Sequence, residues 1–383
     1  MKHTILNGDV IDCLRSLPDA CVQCVMTSPP YWGLRDYGVK GQIGLEPTPE
    51  EYVEKMVEVF REVWRVLRDD GTLWLNLGDS YNGSWGAGGD YAPGDLKAGQ
   101  PKYPGRRISA LKPKDLVGIP WRVAFALQED GWYLRSDIIW SKPNPMPESV
   151  TDRPTKSHEY IFLLAKRARY FYDADAVREA MIKGDCNSGA KNYRAIDGME
   201  FRDDSTQSRR DNPAGRNRRT VWEIATQPMP DAHFATFPEA LVEPCIKAGT
   251  SARGCCPSCG APWLRVVERL PVTGRNENKT PSSAHAAVKC SRAGESHVKT
   301  VGWEPSCGCE TQDGEPVPCI VLDPFGGSGT VAKVARDLGR SSILIEINPE
   351  YVQIAKKRLR IGEQLDSGVC EYVVKNFRTE ATS

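Results

Sequence analysis

The chain has 383 residues, of which 50 are Lys or Arg and 50 are Asp or Glu, so its net charge excludes an overall basic field and any basic surface has to be local. The length accommodates a catalytic domain of roughly 200–250 residues with inserted material around one sizeable core. No apolar run approaches the roughly 20 residues that span a bilayer, and Met1–Asp9 lacks the pattern of a secretion signal, so a cytoplasmic protein with no membrane partner is expected.

Two blocks alternate apolar strands with amphipathic helices, the pattern of a mostly parallel sheet covered by helices. The first predicts a strand at Cys21–Thr27, a helix over Glu50–Leu67 and a strand at Thr72–Leu77 after Asp70-Gly71. It continues with a helix around Leu116–Glu129 and strands at Tyr133–Trp140 and Tyr160–Ala165. The second predicts a strand at Cys319–Asp323, a Gly-rich turn, a helix at Thr330–Leu338, a strand at Ser342–Ile347 and a helix at Tyr351–Leu359. Three stretches break the alternation. Asn82–Lys114 is rich in Gly and Pro, and from Leu96 onward it carries Lys97, Lys102, Arg106, Arg107, Lys112 and Lys114 without an acidic residue. Arg178–Arg219 is polar and ends in Arg209, Arg210, Arg216, Arg218 and Arg219. Gly254–Gly314 holds clustered cysteines around a polar middle in which neither strand nor helix periodicity is visible.

Asp323-Pro324-Phe325-Gly326-Gly327-Ser328-Gly329-Thr330 lies between a strand and a helix, where glycines admit a ligand close to the backbone and helix N–H groups face it. Glu346, near the end of the next strand, is placed to accept both ribose hydroxyls of a nucleoside cofactor, and S-adenosylmethionine fits that logic as well as a dinucleotide. The absence of Gly-Lys-Ser/Thr excludes a nucleoside triphosphate loop.

Thr27-Ser28-Pro29-Pro30-Tyr31-Trp32 follows a strand directly, so prolines fix the backbone at a carboxyl end, where α/β sheets build their sites. An exocyclic amine of cytosine or adenine is a poor nucleophile because its lone pair is delocalised into the ring. Acceptors such as the Ser28 hydroxyl and the Pro29 carbonyl favour the pyramidal amine whose lone pair can attack, and they act where charge develops. Tyr31, assisted by Trp32, offers a ring face to a base rotated out of a duplex. A rival chemistry, methylation of cytosine carbon five, needs a Pro-Cys nucleophile; Pro244-Cys245 and Pro318-Cys319 occur, but both cysteines sit in apolar runs and read as buried thiols.

In this order the two motifs resemble the amino-methylating DNA methyltransferases of the permuted, beta type, in which Ser/Asp-Pro-Pro-Tyr precedes the Gly-rich loop. The resemblance covers both α/β blocks and implies a Rossmann-like, S-adenosylmethionine-dependent methyltransferase fold of permuted motif order. It makes Ser28, Pro29, Pro30 and Tyr31 the catalytic loop, and Asp323, Pro324, Phe325, Gly327, Ser328, Gly329 and Thr330 the loop around the methionine moiety. Glu346 becomes the ribose ligand and Asp9, in Asn7-Gly8-Asp9, the acid beside the adenine. His233, Phe234 and Thr236, in His233–Pro238, resemble the remaining cofactor motif. Lys142–Pro147 and Arg153–Glu159 resemble segments that flank the active site. On the residues alone Asp9 is equally a strand-end acid, and Arg153 with Glu159 equally a structural ion pair. Ser28 leans toward cytosine N4, because adenine enzymes of the family more often carry Asp there; adenine N6 stays open.

Thirteen cysteines in a reducing compartment are expected as thiols or metal ligands. Cys256-Pro-Ser-Cys259-Gly has the spacing of a metal knuckle, and Cys307-Gly-Cys309 supplies a second pair, so four thiolates could close a structural zinc site, with Cys255, Cys290, His285 and His297 in reserve. Lys102, Arg106, Arg107, Arg209, Arg210, Arg216, Arg218 and Arg219 are candidates for phosphates of double-stranded DNA. The chain therefore parses into a catalytic half (1–81 and 115–177) interrupted by a basic DNA-contact loop (82–114), a candidate target-recognition region (178–220), a cofactor-motif segment (221–253), a Cys-rich insertion (254–314), a cofactor-binding half (315–376) and a tail (377–383). A homodimer is an admissible assembly. Methylation of RNA or of a protein amide, and a zinc-bearing DNA-binding regulator without turnover, are the competing readings.

Overall fold

The chain opens with a strand and a short helix that the alternation does not predict, β1 (Lys2–Asn7) and α1 (Val10–Arg15). Then come β2 (Val22–Thr27), α2 (Pro49–Val66), β3 (Leu67–Leu77), α3 (Ile119–Glu129), β4 (Tyr133–Ser141), β5 (His158–Ala165), β6 (Val221–Glu223) and α4 (Glu239–Gly249). β7 (Trp263–Arg269), β8 (Val298–Pro305), β9 (Ile320–Asp323), α5 (Thr330–Asp337), β10 (Ser341–Glu346), α6 (Pro349–Arg358) and β11 (Glu371–Asn376) complete the order. This computed structural model describes residues 1–33, 38–82, 111–179, 215–227, 237–269, 298–309, 314–361 and 370–377. The chain divides into two units, one of Met1–Asp173, Arg219–Trp263 and Pro305–Ser383, the other of Ala174–Arg218 and Leu264–Glu304.

The first unit is built on a nine-stranded sheet of order β11-β1-β10-β9-β2-β3-β5-β4-β6. Among the described residues β5 pairs antiparallel with β3 and β4, and every other pairing in the sheet is parallel. The expected mostly parallel sheet is present, and the distant C-terminal block joins it through β9, whose Val321 and Leu322 lie beside Cys24 and Val25 of β2. Every residue of β2 is buried, which is why it reads as an unbroken apolar run.

Local chemistry sets the helices that cover the sheet. Thr48 caps α2 by accepting from the Glu51 N–H at 3.2 Å, and Pro49 occupies the first turn. Tyr52, Met56, Val59, Phe60 and Val63 then share one face and are wholly buried. β3 starts at Leu67, five residues earlier than Thr72, because Leu67 is itself buried beside Val22 while the charged Arg68-Asp69-Asp70 hides the pattern.

In the second unit β7 and β8 form a two-stranded sheet, so the expectation of a Cys-rich insertion without strands is corrected. None of the described side chains of Trp263–Glu268 is fully buried, and a strand with no buried face leaves no period-two signal to read.

Candidate active site

In the first unit the sheet changes winding direction between β9 and β2: β9 is followed by α5 and β10 to one side, β2 by α2 and β3 to the other. Ligand crevices of open α/β sheets form outside the carboxyl ends of strands at such a point. Ser28 follows β2, Gly78 follows β3, Pro324 follows β9 and Ile347 follows β10; all four line one cleft of about 1010 Å³.

On the β9–β10 side, Glu346 lines the cleft with both carboxylate oxygens fixed by backbone donors. Oε2 accepts from Gly327 N at 2.8 Å and Oε1 from Asn348 N at 2.7 Å. Gly326 packs so tightly on Leu344 that an added Cβ would lie 2.1 Å from its Cγ. Pro324, Phe325 and Gly327 line the cleft beside it, and Gly329 opens α5 at φ 81°. The Ser328 and Thr330 hydroxyls both accept from Arg358 of α6, at 3.2 and 2.8 Å, which ties the turn to that helix. Asp9 also lines the cleft, but its Oδ1 caps α1 by accepting from Ile11 N and Asp12 N, so the plain strand-end role is present as well. A carboxylate at the end of β10, a second acid after β1 and a glycine turn before a helix together fit a nucleoside with an amino-acid tail.

Asp323 does not line the cleft. Its carboxyl is wholly buried and accepts from the Thr27 hydroxyl at 2.7 Å and from Phe325 N at 3.1 Å, clamping the β2 turn to the β9 turn. Burial raises its pKa to about 7, against the opposing effect of those hydrogen bonds. The folded chain thus holds this proton more tightly than the unfolded one. The stabilising contribution is complete below about pH 4, is lost as pH rises toward 7, and is worth up to about 4 kcal/mol. Asp323→Asn keeps the acceptor without the titration. In urea unfolding of the ligand-free chain it is expected to gain on the wild type between pH 4 and 8; a constant gap would show that Asp323 does not titrate there.

On the β2–β3 side, Ser28, Pro29, Pro30 and Tyr31 line the cleft together. Pro30 is anchored through its carbonyl, which accepts from the Tyr52 hydroxyl at 2.9 Å. Tyr31 lies against Gly78, where an added Cβ would stand 2.5 Å from its Cε2. Its hydroxyl lies 2.7 Å from Glu159 Oε2 and 3.1 Å from Asn76 Oδ1, and the Ser28 hydroxyl donates to it at 3.3 Å. Lys142 pairs with the other oxygen of Glu159, and its Nζ stands 4.3 Å from the Trp140 ring centroid. Trp32 is excluded from this arrangement: it is buried and donates to the Glu46 carbonyl at 3.0 Å.

Asn76 and Asp79 are cleft residues outside every motif named from the sequence, and Lys156 is a third that those motifs cover only within the Arg153–Glu159 segment. The rule that pointed to Ser28 would have found two of them, since Asn76 closes β3 and Asp79 follows it. Asp79 accepts from Gly118 N and Ile119 N at the start of α3, and burial lowers the pKa of Lys156, whose ammonium donates to the Asp79 carbonyl at 2.9 Å. The Arg153–Glu159 ion pair that the residues alone left open does not form: Arg153 pairs with Glu148 at 2.6 Å, and Lys142, directly after β4, holds Glu159. Cys245 and Cys319 are buried away from the cleft, so neither is placed as a nucleophile.

The Sγ atoms of Cys256, Cys259, Cys307 and Cys309 all lie within 4.8 Å of one another, in the first unit. A tetrahedral zinc with bonds of about 2.3 Å sets its sulfurs about 3.8 Å apart, so the donor set fits. Backbone N–H groups of Cys259 and Ser258 point at Cys256 and lower its pKa to about 7. Cys255 is not a fifth candidate; it is buried, exchanges two backbone hydrogen bonds with Val317, and its contact with Cys319, together with burial, pushes its thiol up.

Arg216 is ion-paired with Glu179 at 3.0 Å within the second unit, Arg218 is half-buried, and Arg219 is exposed in the first unit. Lys102, Arg106, Arg107, Arg209, Arg210, His233, Phe234 and Thr236, with the reserve ligands Cys290, His285 and His297, lie outside the described residues. Among those described, no helix is long and apolar enough to cross a membrane.

The family described as DNA methylase matches residues 22–256 and 315–357, thus both α/β blocks without most of the Cys-rich stretch. The type II methyltransferase M.Cfr9I of Citrobacter freundii is 41% identical over 360 residues, covering 93% of this chain and 87% of that protein. The type II methyltransferase M.SmaI of Serratia marcescens is 39% identical over 358 residues, covering 93% and 90%. Among solved structures, the cytosine-N4-specific PvuII DNA methyltransferase shares the fold, with a TM-score of 0.52 at 17% identity over 96% of this chain and 89% of that one. With the Gly-rich and Ser-Pro-Pro-Tyr turns meeting at one cleft, these matches establish that the chain belongs to the S-adenosylmethionine-dependent, amino-methylating DNA methylase family.

Proposed function

We propose that the chain is a site-specific type II methyltransferase of permuted motif order that methylates N4 of a cytosine in double-stranded DNA. The observation that carries the reading is the joint placement of Ser28–Tyr31 and Pro324–Thr330 around one cleft, at the ends of adjacent strands. S-adenosylmethionine supplies a methyl group already activated on a sulfonium. The chain supplies position: Glu346 and Asp9 for the nucleoside, the Gly-rich turn for its amino-acid tail, and the Ser28 hydroxyl with the Pro29 carbonyl for the two amine hydrogens. Orientation of this kind is a leading source of rate in a transfer that needs no covalent enzyme intermediate. Tyr31 gives the rotated base a stacking face. Ser28 favours cytosine, because adenine enzymes of the family more often carry Asp at that position.

Residues 82–114 are assigned to phosphate contacts and 178–220 to target recognition. A structural zinc on Cys256, Cys259, Cys307 and Cys309 completes the assignment. Incubating the purified chain with labelled S-adenosylmethionine and mixed-sequence DNA, then digesting to nucleosides, is expected to yield N4-methylcytosine. N6-methyladenine would move the target to adenine, and no label in any nucleoside would overturn the proposal.

A further inference from the structure

Methylation of a neutral amine places positive charge on its nitrogen, and the proton that must leave needs an acceptor. The Ser28 hydroxyl is too weak a base to keep that proton, so it can accept one only by passing its own onward. The geometry points to a two-step relay from Ser28 Oγ through Tyr31 Oη to the carboxylate of Glu159, which is the terminal proton acceptor of the reaction. The reading rests on amine methylation at Ser28.

Every link is set. Ser28 Oγ donates to Tyr31 Oη at 3.3 Å, and Tyr31 Oη donates to Glu159 Oε2 at 2.7 Å. Asn76 Nδ2 donates to the same Oε2 at 3.2 Å and to the Tyr160 carbonyl at 3.1 Å, so the acceptor is held at the end of the wire. Lys142 fixes the other oxygen, and the Glu159 side chain is only 16% exposed, so its orientation is not averaged by solvent. The other cleft carboxylates whose partners are known point their bonds elsewhere. Asp79 accepts from the backbone at the start of α3, Glu148 holds Arg153, Asp9 caps α1, and Glu346 holds Gly327 and Asn348.

The amine lone pair forms the N–C bond as the sulfonium S–C bond breaks, and that electron pair stays on sulfur. In the same step the N–H bond breaks, with its pair returning to nitrogen and its proton passing to Ser28 Oγ. Ser28 releases its former proton to Tyr31 Oη, Tyr31 releases its own to Glu159 Oε2, and both hydroxyls end as they began. No oxidant or further reactant is required. Glu159 acts through Tyr31 and Ser28, and is in that sense a positioning residue.

The test uses two variants that break different links. Tyr31→Phe keeps the ring and removes the hydroxyl; Glu159→Gln keeps the shape and removes the base. In single-turnover transfer with saturating cofactor and duplex, each is expected to be slower than wild type by about 10²-fold, the usual scale for a positioned proton acceptor. The double variant should be no slower than the worse single one, because both break one path. Transfer in heavy water should slow the wild type and leave Tyr31→Phe unaffected, a signature that misplacement alone would not produce. Equilibrium binding of S-adenosylmethionine should be unchanged in both, which establishes that they fold. Tyr31→Phe transferring at the wild-type rate, or keeping the wild-type solvent effect, would overturn the relay alone. A wild type that methylates no amine would overturn the functional reading and the relay with it.

Discussion

Gly78→Ala is expected to slow methyl transfer by about 10²-fold while leaving the affinity for S-adenosylmethionine within about twofold, because a misplacement of about 1 Å at a reacting pair has an effect of that order. The added methyl would stand 2.5 Å from Tyr31 Cε2, 3.0 Å from Cδ2 and 3.2 Å from Cζ. Retreat is blocked at both ends of the tyrosine. Its hydroxyl is tied to Glu159 and Asn76, and the preceding carbonyl of Pro30 is tied to Tyr52. The Tyr31 carbonyl in turn lies against Gly44, where a Cβ would be 3.2 Å away. The ring therefore has to tilt, taking the stacking face and the Ser28 hydrogen bond with it. Glu346 and the Gly-rich turn lie on the far side of β2 and are untouched. Gly302→Ala, whose methyl would meet nothing within 4 Å, is the matched control and should be silent. A wild-type single-turnover rate in Gly78→Ala would show that the position of the Tyr31 ring does not limit transfer.

Much of this site is legible without coordinates because its two turns are local. Ser28–Tyr31 and Asp323–Thr330 are contiguous, and each follows an apolar strand whose carboxyl end is already a privileged place. What does not read out is the company those residues keep. Glu159 comes to Tyr31 only because β5 lies beside β3 in antiparallel register, setting Tyr160 opposite Leu77. Lys142, and not Arg153, meets Glu159 because β4 and β5 pair with Ser141 opposite His158. Such partnerships depend on long-range register, which periodicity within one strand does not encode. Asp323 shows the converse: its place in the motif is plain, yet its carboxyl faces Thr27 inside the protein and not the cleft. β1, β6 and β11 escape prediction for a simpler reason. β6 has three residues, two of them exposed, and β11 has no buried residue at all, so neither carries a pattern to detect. In β1 the buried His3 and Asn7 stand where apolar residues would have signalled a strand.

Removing the proposed zinc is expected to destabilise the chain without abolishing its affinity for S-adenosylmethionine. The knuckle Cys256–Cys259 sits against the amino ends of the central strands. Gln23, at the start of β2, donates to the Gly260 carbonyl at 3.2 Å, and Arg68, at the start of β3, donates to the Cys259 carbonyl. Gln23 also accepts from Ile320 N at 2.7 Å, joining β9 to the same corner. Ser28 lies five residues further along the chain, about 17 Å away at the rise of an extended strand, so the four cysteines and the cleft lie at opposite ends of the central strands. Four thiolates with no ion among them would repel one another as they ionise, and nothing apolar would replace the lost bonds, since Cys259 and Cys309 are exposed. Structural zinc sites contribute about 10–16 kcal/mol of binding free energy in small domains. Coupling even a quarter of that to this corner lowers the melting temperature of a chain of this length by about 3–5 °C. Dialysis against a strong chelator should release one zinc per chain, lower the melting temperature by that amount, and leave the cofactor dissociation constant within about threefold; zinc readdition should restore the melting temperature. Cys259→Ser should reproduce the loss without chelator. A chain purified under reducing conditions with no zinc and an unaltered melting temperature in Cys259→Ser would remove the metal from the assignment while leaving the active-site argument standing, because no residue of the cleft depends on those four sulfurs.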